Sequence, residues 1–87
     1  MAYDYAVQRA SVFTEDGQIM FLKIRDAANR LFQLAGAARF QEITHGVTGD
    51  TWKMLACVDR LVELGEIREI PQESRTPGQY RIFVKAE

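Results

Sequence analysis

The chain has little of the material from which catalytic and metal sites are built. It contains one cysteine, Cys57, and one histidine, His45. A lone cysteine cannot form an internal disulfide, and these two side chains are too few to hold a structural metal ion. There is also no Gly-rich phosphate loop and no nucleophile elbow. We therefore predict a protein that is not an enzyme, with no catalytic residues, no metal site and no cofactor.

Long apolar runs are absent as well. The longest uninterrupted run of aliphatic or aromatic residues is Ile19-Met20-Phe21-Leu22, far short of the ~20 residues that a helix needs to cross a bilayer. The first residues, Met1 to Tyr5, lack the basic start and apolar centre of a secretory signal. The sequence thus predicts no membrane association and a cytoplasmic location.

An excess of charge of either sign is missing too. Eleven basic side chains stand against twelve acidic ones, for a formal net charge of -1. A strongly basic surface, the simplest argument for nucleic-acid binding, is therefore excluded. With 87 residues, of which 47% are hydrophobic, the composition is that of a single folded domain.

The clearest pattern present is an amphipathic helix that Gly65 ends. Its apolar residues recur at the helical spacing, and they are Met54, Leu55, Val58, Leu61 and Val62. This face is predicted to be buried, with the opposite face, carrying Lys53, Ala56, Arg60 and Glu63, left free. Two residues compete as its N-cap: Thr48, which would pair Val47 with Trp52 as a hydrophobic staple, and Asp50, which we favour.

Two further helices are predicted before this one. The first starts between Thr14 and Gln18, ends at Gly36, and carries an apolar stripe through Ile19, Phe21 or Leu22, Ile24, Ala27 or Ala28, Leu31, and Leu34 or Ala35. The second is a two-turn helix from Ala37 to Thr44. Residues 46–50 are rich in Gly, Thr and Asp, which favour a turn between helices.

A β-hairpin is predicted after Gly65. Its second strand alternates, with Tyr80, Ile82 and Val84 on one face and Arg81, Phe83 and Lys85 on the other. Pro77-Gly78 suits the middle of a type II turn. Residues 1–13 form an arm for which a strand, a short helix and an ordered coil all stay open; it either covers the core or packs on a second subunit.

The run Asp59-Arg60-Leu61-Val62-Glu63-Leu64-Gly65-Glu66-Ile67, followed by this hairpin, resembles the recognition helix and wing of winged helix-turn-helix regulators of the small bacterial or phage type. The resemblance implies a mainly α fold with a small β wing (α+β), made of three helices and a C-terminal β-hairpin over residues 14–87. The recognition helix would span about 50–64 and the wing about 66–84.

That resemblance implies duplex DNA as a partner and a role in transcription regulation. The aromatic arm of residues 1–13 and the modest core of a short chain predict a homodimer. The predicted nucleic-acid-binding residues are Arg39, Thr51, Trp52, Lys53, Arg60 and Arg75. Thr51, Trp52, Lys53 and Arg60 would face the major groove, Arg75 would lie at the wing tip and Arg39 on the phosphate backbone. Two alternatives remain: a winged-helix protein-interaction or assembly module that does not bind DNA, and an accessory factor in nucleic-acid processing.

Overall fold

The computed structural model describes residues 2–71 and 81–86 of the chain. The helices are α1 Tyr5–Gln8, a 3-10 segment Arg9–Phe13, α2 Glu15–Ala35, α3 Phe40–Ile43 and α4 Thr51–Glu63. The strands are β1 Ala37–Arg39, β2 Ile67–Glu69 and β3 Ile82–Lys85. The described chain is therefore mainly helical with one small antiparallel sheet, in agreement with the predicted α+β class.

The long helix α2 has the ends that the sequence predicted. Oγ1 of Thr14 accepts a hydrogen bond of 3.0 Å from the backbone N–H of Gly17, and Glu15 and Asp16 occupy the first turn. Gly36 ends the helix in the left-handed conformation, with φ 77°, which a residue with a Cβ adopts only at a cost. These ends are set by local hydrogen bonds, which explains why the sequence alone located them.

The apolar stripe predicted for α2 is confirmed in the middle of the helix but not at its ends. Phe21, Ile24, Ala27 and Ala28 are buried as predicted. Ile19, however, is 50% exposed, and Leu34 is more exposed still. Met20 and Phe21 supply the core contact one turn before Ile24, so Ile19 falls on the opposite side of the helix.

The segment predicted as a two-turn helix from Ala37 to Thr44 is instead a strand followed by a single helical turn. In β1, Ala37 lies opposite Val84 and Arg39 opposite Ile82. The helix prediction was wrong for residues 37–39 because Ala and Arg favour a helix locally. The strand depends on hydrogen bonds to β3, which lies far along the chain.

The sheet has the strand order β1-β3-β2, with both pairings antiparallel. β2 pairs with β3 so that Ile67 lies opposite Lys85 and Glu69 opposite Phe83. The predicted alternation in β3 is present, and Phe83, on the face shared with Arg81 and Lys85, is the fully buried residue. The predicted wing tip, with Arg75, Pro77 and Gly78, lies outside the described residues.

The turn before α4 matches its prediction, since Gly46 and Gly49 both adopt positive φ. α4 begins directly after Asp50, the favoured cap, although the Asp50 side chain makes no capping hydrogen bond. Val47 and Trp52 are both partly buried against the core, as the rival Thr48 cap would have placed them. Gly65 follows the helix with φ 76°.

The core lies between α2, α4 and the sheet, and its largest fully buried side chains are Ile24, Ile43, Val58, Leu61 and Phe83 together with Val12 and Cys57. Val12 belongs to the N-terminal arm, so the arm covers the core of its own chain. In the part of the chain that the structure describes, no helix combines the length and apolar character needed to cross a bilayer.

Candidate nucleic-acid interface

The middle of α4 has no free face. Residues 54–58, five in succession, are all buried. Successive residues of a helix point 100° apart, so five of them cover every direction around the axis. The prediction that the face of Lys53, Ala56 and Arg60 is open to solvent is therefore wrong in its centre, where Ala56 has no exposed surface.

The N-terminal arm contacts α4 at Glu63, near the C-terminal end of the helix. The hydroxyl of Tyr5 donates a hydrogen bond of 2.9 Å to Oε1 of Glu63, and Nε of Arg9 donates to both carboxylate oxygens at 3.1 and 3.0 Å. Nη1 of Arg60 donates to the same carboxylate at 2.7 Å. Ala56, Arg60 and Glu63 occupy positions i, i+4 and i+7, and hence one side of the helix.

Two guanidinium groups lie close to the ring of Phe13. The guanidinium carbon of Arg9 is 4.9 Å from the centroid of the Phe13 ring, and that of Arg60 is 5.0 Å from it. Both distances are within the range of a cation–π interaction. In this structure Arg60, predicted to contact DNA, forms an ion pair with Glu63 and a cation–π contact with Phe13.

Contacts within this cluster shift the pKa values of Glu63 and Tyr5. Hydrogen bonds from Arg60 and then Tyr5 lower the pKa of Glu63 to about 2. Burial and the hydrogen bond to Glu63 raise the pKa of Tyr5 to about 12. Glu63 is thus ionised and Tyr5 is a neutral donor at neutral pH, the protonation states that hold the arm on α4.

A second cluster joins the arm, α4 and the sheet at Asp59. The hydroxyl of Tyr3 donates to Oδ2 of Asp59 at 2.6 Å, and Nη2 of Arg81 donates to Oδ1 at 2.7 Å. Nη2 of Arg81 also reaches Oε1 of Glu69 at 2.9 Å. Burial opposes the charged form of Arg81, but the hydrogen bonds to Asp59 and Glu69 outweigh it, and the pKa of Arg81 is raised.

The N-terminal end of α4 is the part of the predicted interface that stays accessible. Thr51 is exposed, whereas Trp52 and Lys53 are half-buried. Lys53 lines a cavity of about 290 Å³ between α2 and the turn before α4. The other residues lining it are Asp16, Ile19, Met20, Lys23, Val47, Thr48, Gly49 and Asp50.

Arg39 does not line this cavity. Arg39 is exposed at the N-terminus of α3, where its backbone N–H donates to Glu42 at 3.0 Å. Arg75 lies outside the described residues. Sequence reasoning missed Lys23, which the fold brings to the same cavity as Lys53, and it missed the arm cluster, because nothing local to residues 3–13 indicates that their partners lie on α4.

Two lysines and two aspartates, Lys23 and Lys53 with Asp16 and Asp50, line this cavity together. The lysine and aspartate charges at this end of α4 therefore nearly cancel. Any attraction for phosphate depends on how far the lysine side chains extend from the cavity. Among residues 2–71 and 81–86, no three His, Cys, Asp or Glu side chains come together as a metal site.

Comparisons with protein-family models, with curated proteins and with solved structures found no match to this chain.

Proposed function

We propose that the chain is a winged helix-turn-helix domain that binds duplex DNA through the N-terminal end of α4. The observation that supports this best is the order of the elements and strands. A strand precedes the α3–turn–α4 unit, two strands follow it, and β1 pairs beside β3 in the order β1-β3-β2. This order supports the proposal, because it is the order expected if α4 is the recognition helix of a winged helix.

The approach to DNA that fits this chain is end-on. The N-terminal residues of a recognition helix contact base edges in helix-turn-helix complexes. Thr51 at this end is exposed, and Lys53 and Lys23 line the cavity next to it. Thr51 would then face the base edges while the two lysines contact phosphates.

The expected binding is weak and salt-dependent. Asp16 and Asp50 lie beside the lysines, and the whole chain carries a net charge of -1. Two phosphate contacts would give a slope of about -1.8 for the logarithm of the binding constant against the logarithm of the salt concentration. A dissociation constant in the non-specific range, about 10⁻⁶ to 10⁻⁴ M, is expected.

Titration of labelled duplexes at low and at higher salt tests the proposal. Lys53→Ala and Lys23→Ala should each weaken binding to all sequences and make the salt slope shallower by about one. Lys85→Ala is the matched control, because Lys85 is exposed on β3, lines other cavities and has the same charge. Absence of duplex binding at low salt, or equal behaviour of Lys53→Ala and Lys85→Ala, would reject the assignment.

One observation favours the second candidate, a protein-interaction or assembly module. Ile19 and Leu22, one turn apart on α2, are 50% and 54% exposed, and Ile19 borders the same cavity. If no duplex binds, sedimentation equilibrium decides this alternative. Self-association of the wild type that Leu22→Glu abolishes would support assembly through α2, whereas a monomeric wild type would count against it.

The predicted homodimer stays a prediction. It was motivated by the aromatic arm of residues 1–13; Tyr3 and Tyr5 of this arm bond to Asp59 and Glu63 of their own chain, while Phe13 remains 49% exposed. The sedimentation measurement above tests the dimer together with the assembly module.

A further inference from the structure

The cavity beside the N-terminal end of α4 is built by two separate segments of the chain. Its volume is about 290 Å³, close to the lower limit of about 300 Å³ for pockets that hold small molecules. Along one wall, Asp16, Ile19, Met20 and Lys23 occupy positions i, i+3, i+4 and i+7, which is one face of α2. The other wall is the turn of residues 47–50 with the start of α4.

Each wall supplies one carboxylate and one ammonium group. They are those of Asp16 and Lys23 on α2, and those of Asp50 and Lys53 on the other wall. Within residues 2–71 and 81–86 every ion pair is made by an arginine, so none of these four side chains takes part in one. The side chain of Asp50 makes no capping hydrogen bond with α4 either. In the part of the chain that the structure describes, both signs of charge at the cavity are available to a ligand.

Each wall also carries an apolar side chain that the core does not cover fully. Ile19 borders the cavity and is 50% exposed, and Val47 on the other wall is only partly buried. The two walls touch at Gly49, because a Cβ on Gly49 would lie 2.6 Å from Cε of Met20. A ligand with a short aliphatic side chain would remove the exposed apolar surface of the cavity from water.

We propose that this cavity binds a small zwitterion with an aliphatic side chain, in the chemical class of the free amino acids. The ammonium group of the ligand pairs with an aspartate of the cavity, its carboxylate pairs with a lysine, and its side chain covers Ile19 and Val47. A simple anion fits less well because the two aspartates repel it, and a simple cation because the two lysines do. A zwitterion is attracted at both of its charged ends.

Occupation of the cavity opposes duplex binding. Lys23 and Lys53 are the lysines assigned to DNA phosphates above, so this part of the inference rests on the proposed function. A ligand carboxylate that pairs with either lysine competes with a phosphate for the same ammonium group. The domain therefore releases duplex as the concentration of the zwitterion rises.

Titration of the isotope-labelled chain with leucine, followed by NMR chemical shifts, tests the cavity without DNA. The expected dissociation constant is on the order of 1 mM, because each exposed ion pair contributes little. N-acetyl-leucine lacks the ammonium group and leucine methyl ester lacks the carboxylate, so each should bind about tenfold more weakly than leucine. If leucine near its solubility limit shifts no amide signal of residues 47–53, or if both derivatives bind as tightly as leucine, the site is refuted.

A charge-removing variant tests the contact with the ammonium group. Asp16→Asn combined with Asp50→Asn keeps the shape of both side chains and removes both charges, so it should weaken leucine binding about tenfold. Asp26→Asn is the control, because Asp26 is exposed on α2 and does not line the cavity. Equal binding of leucine by the double variant and by Asp26→Asn would reject the ammonium contact. If the double variant does not fold, the comparison of leucine with its two derivatives on the wild type decides.

Duplex titrations with and without leucine test the competition. At a leucine concentration about ten times its own dissociation constant, mass action should raise the apparent dissociation constant for duplex about tenfold. Leucine has no net charge at neutral pH, so a loss of duplex binding cannot come from added ionic strength. Duplex affinity that saturating leucine leaves unchanged would refute the competition, and the proposed function would stand. Leucine binding by a chain that binds no duplex at low salt would reject the proposed function and support the zwitterion site alone.

Discussion

Gly17→Ala is expected to destabilise the domain, although Ala favours a helix more than Gly does. Gly17 is buried in the first turn of α2, beneath the 3-10 segment. A Cβ on Gly17 would collide with the carbonyl oxygen of Ser11 and lie 2.8 Å from that of Val12. Both are backbone atoms, so no change of side-chain rotamer relieves the contact, and the 3-10 segment must move away from α2.

The magnitude follows from two opposing effects. Replacing Gly by Ala inside a helix ordinarily stabilises by about 0.5–1 kcal/mol. Overpacking costs typically about 1–3 kcal/mol, and displacement of the 3-10 segment also removes part of the burial of Val12, which is worth at most about 1.5–3 kcal/mol. We expect a net loss of about 2 kcal/mol, which in a domain of this size lowers Tm by on the order of 10 °C.

Thermal unfolding followed by circular dichroism at 222 nm, the usual helix wavelength, measures this loss. Asn29→Ala is the matched control, because Asn29 is exposed on the same helix and surface substitutions normally change stability by less than about 0.5 kcal/mol. If Gly17→Ala melts at or above the temperature of the wild type, the close packing of the 3-10 segment against α2 is refuted. The attachment of the N-terminal arm through that segment is then refuted as well.

Three further predictions concern α4. Leu61→Ala, at a side chain only 1% exposed, should cost about 2–5 kcal/mol of unfolding free energy; a loss no larger than that of Leu64→Ala, at an exposed site, would contradict the register of the helix. Burial raises the pKa of the Cys57 thiol to about 11, so a thiol reagent at about pH 8 should modify the chain only as fast as it opens, and rapid labelling of the folded protein would argue against this burial. The pKa of Glu63 is lowered to about 2 when folded, against about 4.3 in an unfolded chain. Its contribution to arm docking is therefore complete above the unfolded pKa and is lost as pH falls toward the folded one; an NMR titration in which Glu63 shows the ordinary value would exclude the cluster with Tyr5, Arg9 and Arg60.

The sequence by itself determined the features that depend on neighbours a few residues apart. Thr14 and Gly36 bound α2 because caps and left-handed glycines act through hydrogen bonds within one turn. Asp50 and Gly65 flank α4, although the Asp50 side chain makes no capping hydrogen bond. The buried register of Met54, Val58 and Leu61 was likewise predictable from the 3.6-residue period.

Only the tertiary structure decided the features whose partners lie far along the chain. β1 is a strand because β3 supplies its hydrogen bonds, against the local preference of Ala37 and Ala38. The pairing of Arg60 with Phe13 depends on an arm about fifty residues earlier, as the separation of 54 residues between Arg9 and Glu63 illustrates. A periodic pattern reports that a helix has an apolar face, but it carries no information about which distant segment covers the remaining sides.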